Sequence, residues 1–390
     1  MRLRELEHEL EAWTAEGLIS PEQAAAIRSR YAREAPAAIR GRIVRVVSAV
    51  GAVVAGLGVV LFVAANWDGM PRPTRVVLLL VLVVAAYAGG YVLRERRGTH
   101  PHVGEALYLL GGLAFAAEIF LVGQMYHVDA HWPLAFLAIA LLTGAVAAVV
   151  RAQALAALSL VALGVWPLTE LSEVGGDAWL YAPVAAALYG CALYGLGTGD
   201  RGFLGRAGFR APMRALGLPL LLVGTFVFTF EPTHDAVEDA AVAGRALAAL
   251  VALAVAAGAG AAALALLPEG RRTAPWEAAA LLATTFLVVL AVLAPVGSPD
   301  GGSAVFYPIL FNLLFAALAL GAIVVGSVED EPGLVAVGLV AVGVDVLARN
   351  FDFFWDFLPR SLGFVGAGLL LLGLAWLLER QRSRLVGSMR

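Results

Sequence analysis

Long apolar runs separated by short polar connections dominate the hydropathy pattern of this chain from residue 43 almost to its end. A run of about 20 apolar residues is long enough to cross a bilayer as a helix. The pattern therefore predicts an all-α, polytopic membrane helix bundle with twelve spans. These are 43–65, 76–93, 103–122, 134–150, 152–168, 178–196, 215–230, 242–267, 276–293, 305–325, 334–348 and 362–378.

Composition agrees with a membrane protein and excludes an ordinary soluble domain. Hydrophobic residues make up 61% of the chain and charged residues only 15%, whereas globular domains average roughly 45–50% and about 25%. The one cysteine, Cys191, lies within an apolar run, so the chain forms no internal disulfide.

The distribution of arginine predicts the topology. All 27 basic residues are arginine, and positive residues gather on the cytoplasmic side of membrane proteins. With twelve spans and both termini inside, 22 arginines lie inside and 5 outside. Only Arg151, Ala152 and Gln153 separate the fourth and fifth spans. Merging those two spans would move the cluster from Arg201 to Arg214 outside, so we interpret them as separate helices.

Residues 1–34, ahead of the first span, predict a small soluble helical hairpin on the cytoplasmic side. Gly17 ends its first helix, and the segment from Ser20 to Gln23 has the composition of an N-cap with a capping box. The hairpin is interpreted either as a cap packed on itself or on the membrane surface, or as a docking module for a protein partner. A linker over 35–42, the bundle over 43–379 and a basic cytoplasmic tail over 380–390 complete the predicted organisation.

A short motif occurs near both ends of the bundle. Trp-Asp, two residues and Pro-Arg follow one another at Trp67, Asp68, Pro71, Arg72 and again at Trp355, Asp356, Pro359, Arg360. We interpret both copies as outer loops. In each, tryptophan anchors the loop at the membrane interface, and proline begins the first turn of the next helix. The helix pairs 43–97 and 334–382 then form a parallel repeat, with chance similarity as the alternative.

Several segments resemble a known family. They are Gly17-Leu18-Ile19-Ser20, Ala65-Asn66-Trp67-Asp68, Gly123-Gln124-Met125-Tyr126-His127, Phe351-Asp352-Phe353-Phe354-Trp355-Asp356 and Arg360-Ser361-Leu362. In these segments the chain resembles the domain-of-unknown-function 2157 family of predicted bacterial membrane proteins. The resemblance implies a multi-pass protein of the bacterial inner membrane. It implies no assigned activity, and no functional residue is carried over from it.

Ionisable and amide side chains within the apolar runs are the first candidates for a site, because a charge at the bilayer centre costs roughly 2.5–3.5 kcal/mol on insertion scales. Glu118 and Asp345 lie at similar predicted depth in the outer third, so they are expected to form a coupled pair. The alternative is that each is a structural acid. The predicted polar layer near the outer face comprises Asn66, Asp68, Glu118, Gln124, Tyr126, His127, Asn312, Asp345, Asn350 and Asp352.

Other site chemistries find weaker support. His127, Asp129 and His131 have suitable ligand types for zinc, but a hydrogen-bonded loop anchored by Trp132 is the favoured interpretation. We predict no metal site, no cofactor and no catalytic residue. No phosphate-binding glycine loop and no basic aromatic patch for nucleic acid is present in the sequence.

Two functional classes remain. The first is a transporter or channel for a small solute or proton, with its polar site near the outer face. The second is a structural or sensory membrane protein whose cytoplasmic hairpin binds a partner. An enzyme acting at the outer face is a third and less favoured class. The lipid bilayer is the one partner common to all three.

The predicted topology is testable by labelling. Cysteines introduced at Gly301 and Gly175 should react with an impermeant thiol reagent in intact cells, and a cysteine at Gly270 should not, because arginine counts place the first two outside. The reverse labelling pattern would overturn the topology.

Overall fold

The computed structural model describes most of the predicted bundle. The described residues are 10–27 without 12, part of 44–65, and 69–126, 131–175, 178–199, 202–230, 244–266, 271–293 and 306–354. Within them, ten helices have 18 residues or more. These are α1 (Arg72–Tyr91), α2 (Pro101–Tyr126), α3 (Pro133–Val150), α4 (Gln153–Val174), α5 (Ala182–Gly199), α6 (Arg210–Val227), α7 (Gly244–Ala265), α8 (Ala274–Leu293), α9 (Phe306–Val328) and α10 (Pro332–Phe354).

Three short elements accompany them. A π-helical turn, Val92–Arg96, continues α1, a 3-10 turn, Ala178–Tyr181, precedes α5, and a four-residue helix, Phe203–Arg206, lies between α5 and α6. The described residues contain no strand, so the predicted all-α class is confirmed for this part of the chain.

The described helices follow the order of the predicted spans. Ten spans, from 76–93 to 334–348, each fall on one of the ten described helices. Nine of these helices are long and apolar enough to cross a membrane by length and composition. The tenth, α5, is not among these nine. The described positions of span 43–65 are helical from residue 44 onward, whereas span 362–378 lies outside the described residues. The total of twelve therefore stays a prediction.

Three helices extend four to six residues beyond their predicted ends. α2 continues to Tyr126, α4 to Val174 and α10 to Phe354, whereas hydropathy had placed the ends at 122, 168 and 348. The cause is that hydropathy locates the part of a helix that fits the hydrocarbon core, while backbone hydrogen bonding continues into the polar interface. The prediction that an outer loop starts at Gly123 was therefore wrong.

The doubtful break between the fourth and fifth spans is confirmed. α3 ends at Val150, and Arg151 adopts a left-handed conformation with φ 53°. The Ala152 amide donates to the Ala147 carbonyl at 3.2 Å, and α4 begins at Gln153. A left-handed residue is a common way to end a helix.

The chain divides into two compact units, residues 1–163 and 164–390. In the first unit, α1 and α2 pack closely through glycine: a Cβ on Gly104 would lie 2.7 Å from the Arg94 Cβ and 3.0 Å from the Gly90 carbonyl oxygen. Polar bonds tie the same region to the start of α4. Arg94 donates to the Arg151 carbonyl at 2.8 Å, and Glu105 accepts the Ala154 amide at 3.0 Å.

The N-terminal segment of the first unit has the predicted local structure. The Ser20 amide donates to the Gln23 side-chain oxygen at 2.9 Å, and the Gln23 amide donates to the Ser20 hydroxyl at 3.1 Å. This reciprocal pair is a capping box, so that prediction is confirmed. Leu10 and Ala24 are buried and form a small core, against which Trp13, Ile19 and Ile27 pack. That the hairpin is soluble stays a prediction.

In the second unit, α5 forms the centre of the packing. Almost all its side chains are buried, and glycine brings its backbone against both α6 and α7. A Cβ on Gly190 would collide with the backbone nitrogen of Leu221, and a Cβ on Gly195 would lie 2.5 Å from the Gly260 carbonyl carbon. Small residues at helix contacts permit this approach in membrane bundles.

α9 and α10 form a tightly packed helical hairpin in the same unit. A Cβ on Gly338 would lie 2.6 Å from the Ala319 carbonyl oxygen, and a Cβ on Gly326 would lie 2.8 Å from the Val335 amide nitrogen. A turn of three acidic residues, Glu329, Asp330 and Glu331, joins the two helices.

The close approach at α5 predicts a contrast between two glycine substitutions. Gly190→Ala should lower the free energy of unfolding by roughly 1–3 kcal/mol, because overpacking forces backbones apart. Gly258→Ala on α7, where an added Cβ meets nothing within 4 Å, should be neutral or stabilising by up to about 1 kcal/mol through helix propensity. Thermal unfolding in detergent measures both, and equal effects would contradict this account of the packing.

Candidate functional site

Arg271 is the centre of a buried polar network at one end of the second unit. It lies in the turn before α8, and its side chain is only 8% exposed. Its Nε donates to Glu277 Oε1 at 2.7 Å, and a terminal nitrogen donates to Glu277 Oε2 at 3.1 Å. The other terminal nitrogen donates to Glu331 Oε1 at 3.1 Å. The guanidinium therefore binds one carboxylate through two bonds and a second carboxylate through one.

Glu277 is the most deeply buried acid of this network, with a side chain 4% exposed in the first turn of α8. Besides the bonds from Arg271, its Oε1 lies 2.6 Å from the Thr273 hydroxyl, and its Oε2 accepts the Tyr194 hydroxyl at 2.6 Å. A buried carboxylate is costly unless it is paired and hydrogen-bonded. Here both oxygens have two neighbours, and the negative charge lies at the positive end of the helix dipole.

The turn between α9 and α10 supplies the remaining acids. Glu329 Oε1 accepts the Thr273 amide at 3.1 Å and lies 2.8 Å from the Thr273 hydroxyl. Glu331 accepts from Arg214, at the start of α6, as well as from Arg271. Asp330 has φ 54°, and this left-handed residue reverses the chain between the two glutamates.

The network lowers the pKa values of both glutamates in the turn. Burial on its own would raise the pKa of Glu329, but the bonds from Thr273 and the charge of Arg271 outweigh burial and lower it. The pKa of Glu331 is lowered in the same way by Arg214 and Arg271. Burial opposes the charge on Arg271, yet the bonds and charge of Glu277 and Glu331 raise its pKa above the ordinary value.

A single hydroxyl links the two carboxylates on either side of Thr273. The hydroxyl has one hydrogen, while Glu277 Oε1 and Glu329 Oε1 lie 2.6 and 2.8 Å from it. The hydrogen can be donated to either carboxylate, and the hydroxyl oxygen can accept from the other when that carboxyl is protonated. Half-exposed Glu329, Thr273, buried Glu277 and Tyr194 thus form a continuous chain of short hydrogen bonds.

A cavity of about 210 Å³ begins where this chain ends. Tyr194 and Glu277 are its polar lining, and the rest is apolar, from α6, α8 and α9. A second, more open cavity of about 540 Å³ is lined by Arg214, Glu331 and the start of α10.

Two residues of the predicted outer layer, Asn312 and Asp345, are linked to the Thr229 carbonyl at the opposite end of α9 and α10, Asn312 directly and Asp345 through Arg349. Asn312 donates to the Thr229 carbonyl at 3.2 Å and to the Pro308 carbonyl at 2.7 Å. Arg349 donates to the same Thr229 carbonyl at 3.5 Å and lies 3.6 Å from Asp345 Oδ1. Its guanidinium also lies 4.9 Å from the centre of the Phe230 ring.

The other predicted site residues fall into three groups. Glu118 is half-buried on α2 in the first unit, while Asp345 belongs to the second, so their pairing stays a prediction. Gln124 and Tyr126 are exposed in the last turn of α2 and are not loop residues. The following residues or their side chains lie outside the described part of the chain: Asn66, Trp67, Asp68, His127, Asn350, Asp352, Trp355, Pro359 and Arg360.

Two further expectations concern residues near the helix ends. α1 begins directly after Pro71, at Arg72, as the motif predicted. Glu170 and Glu173 follow the predicted end of span 152–168, but both lie within α4. Glu170 is buried and accepts the Trp166 ring N–H at 2.9 Å. A hydrogen bond between side chains four residues apart, as between Trp166 and Glu170, stabilises that turn of the helix.

The sequence interpretation missed the Arg271 network. Its members come from connections that arginine counting placed on the inner side and from the adjoining ends of spans 178–196 and 276–293. Each acid taken singly resembled an ordinary interfacial residue. Two signals were available in the sequence. Thr273 and Glu277 lie four residues apart at a helix start, and Glu329 and Glu331 lie in one of the inner connections, which are otherwise rich in arginine.

Comparison with known proteins supports the membrane class. Residues 11–156 match the family model described as predicted membrane protein (DUF2157). The predicted resemblance is confirmed over this range. The protein is a multi-pass membrane protein. The match ends before the Arg271 network and before the resembling segments at 351–362. No curated protein matches, and no solved structure matches.

The lowered pKa values predict a loss of stability in acid. A glutamate whose native pKa is lowered stabilises the fold above its unfolded pKa, and this stability is lost as the pH falls through the native pKa. The free energy of unfolding should therefore decrease as the pH falls below about 4.5, the ordinary glutamate value. Glu331→Gln should reduce this acid-side decrease, because one of the two titrating groups is absent.

Asp330→Asn is the matched control, since Asp330 is exposed in the same turn. Unfolding in detergent, measured between pH 7 and pH 3 for the three proteins, tests the prediction. Parallel curves for parent and Glu331→Gln would show that Glu331 does not titrate with the fold.

Proposed function

We propose that the protein moves protons, alone or together with a small solute, across the bacterial inner membrane, with both termini in the cytoplasm. The observation that carries the proposal is the hydrogen-bonded chain from Glu329 through Thr273 and Glu277 to Tyr194. Its contacts of 2.8, 2.6 and 2.6 Å are short enough for proton transfer between neighbouring oxygens. Ionisable groups within membrane spans often mark proton relays.

In the predicted topology this chain begins at the cytoplasmic surface. Glu329 is half-exposed and exchanges protons with water, whereas Glu277 is buried beside the cavity. Thr273 connects them because its hydroxyl both donates and accepts. A proton received by Glu329 thus reaches Glu277 without any side chain crossing apolar space.

The outer end of the same unit supports a second proton-binding group. Asp345, from the predicted outer layer, faces Arg349, which also donates to the Thr229 carbonyl of the segment after α6. A proton on Asp345 removes the charge that Arg349 faces. Asp345 and Arg349 lie one turn apart on α10, and the same guanidinium reaches the Thr229 carbonyl and the Phe230 ring. We therefore infer that protonation alters the contact between α10 and the segment after α6.

Partner recruitment by the N-terminal hairpin is the second candidate function. The observation in its favour is the small core around Leu10 and Ala24, beside which Leu18 is 69% exposed. Deletion of residues 1–34 separates the two functions, because proton movement through the second unit does not need them.

Proton flux into liposomes containing the purified protein tests the relay. With an imposed pH gradient and an internal pH dye, the parent should carry protons faster than protein-free liposomes. Thr273→Val should reduce this flux at least tenfold, because valine has the shape of threonine but no hydroxyl. Thr273→Ser, which keeps the hydroxyl, is the matched control and should retain the flux.

Asp345→Asn should abolish the flux as well, since the amide keeps the shape and loses the titratable proton, while thermal stability should stay nearly unchanged. Equal flux in Thr273→Val and Thr273→Ser would disprove the relay. A parent no faster than protein-free liposomes would disprove proton movement altogether.

A further inference from the structure

The apolar part of the 210 Å³ cavity forms a groove between α8 and α9. α8 contributes Trp276 and Ala280 to its walls, α9 contributes the stretch from Ala317 to Val325, and Leu218 and Leu221 of α6 form part of the floor. Because this stretch of α9 spans eight steps of 1.5 Å from its first residue to its last, the groove is about 12 Å long and runs along the helices.

The groove opens at the outer surface of the second unit. Trp276 is 78% exposed, and Ala317 is exposed on the opposite wall. Beside the opening, large apolar side chains cover the surfaces of both helices: Leu282 and Phe286 on α8, and Leu313, Leu320 and Val324 on α9. Such surfaces face lipid in a membrane protein, so the groove is continuous with the surface that faces the bilayer.

We propose that this groove binds one acyl chain of a membrane phospholipid from the cytoplasmic leaflet. Its length of about 12 Å fits within one leaflet, which is half of a hydrocarbon core about 30 Å thick. At Gly321 an added Cβ meets nothing within 4 Å, so the wall has room for methylene groups there. Filling the groove with an acyl chain restores the packing contacts that an empty apolar groove lacks.

The site recognises the acyl chain and not the headgroup. The charged groups nearest the groove, Arg271, Glu277 and Glu331, already bind one another. These three side chains are therefore not available to select an anionic headgroup. Phosphatidylglycerol and phosphatidylethanolamine with the same acyl chains should bind within about twofold of each other. This inference is independent of the proposed proton movement, because lipid binding needs no relay.

Native mass spectrometry of the full-length protein, purified in mild detergent and mixed with either phospholipid, tests the site. The parent should retain one phospholipid per chain after most lipid has been removed. Gly321→Leu should reduce that retained fraction at least fivefold, because its side chain occupies the groove. Gly258→Leu, which adds the same side chain at another open helical glycine outside the groove, should retain lipid as the parent does.

Ala317→Leu fills the groove from the opposite end of the same wall and should repeat the loss if Gly321→Leu misfolds. Retention by both groove variants at the level of the parent would overturn the proposal. Absence of a retained phospholipid from the parent would overturn it too, and would favour the predicted span 362–378 as the occupant. A tenfold preference for phosphatidylglycerol would overturn the assignment of recognition to the acyl chain.

Discussion

The structure of the second unit depends on one electrostatic constraint, the need to pair the buried charges of Arg271 and Glu277. The Glu277 side chain is only 4% exposed, so water does not compensate its carboxylate and its partners must come from the protein. Those partners lie on α5, in the turn before α8 and in the turn between α9 and α10. Pairing the charges of Arg271 and Glu277 therefore holds the ends of these three chain segments together. Moving one segment away would leave a buried charge without its partner, which is strongly destabilising.

Close backbone approach makes that pairing geometrically possible. Tyr194 reaches Glu277 because α5 lies deep among its neighbours, with Gly190 and Gly195 against the backbones of α6 and α7. Larger side chains at these glycines would move α5 outward and lengthen the bond from Tyr194. The steric and electrostatic constraints thus support each other, and both act at the centre of the unit.

The α9–α10 hairpin is held to the rest of its unit by polar contacts at both ends. Glu329 and Glu331 bind at one end, and Asn312 and Arg349 bind the Thr229 carbonyl at the other. Between them lie an apolar cavity and aromatic contacts, such as the stacking of Phe311 on Phe228 with ring centres 4.8 Å apart. The hairpin is thus held by polar bonds at its two ends and by apolar and aromatic packing between them.

Sequence by itself determined the features that depend on local chemistry. The membrane class and the order of the spans follow from hydropathy, because each span must be apolar wherever it packs. The capping box at Ser20 and Gln23 and the break at Arg151 are also local, since their hydrogen bonds join residues three to five positions apart. Only the tertiary structure identified the Arg271 network. Its long-range bonds join residues 56 to 117 positions apart, and burial makes acids such as Glu277, which look like ordinary interfacial residues in the sequence, part of one connected site. The residue pattern within one span does not specify which helix ends lie against each other, because this depends on glycine contacts between helices that are distant in the chain.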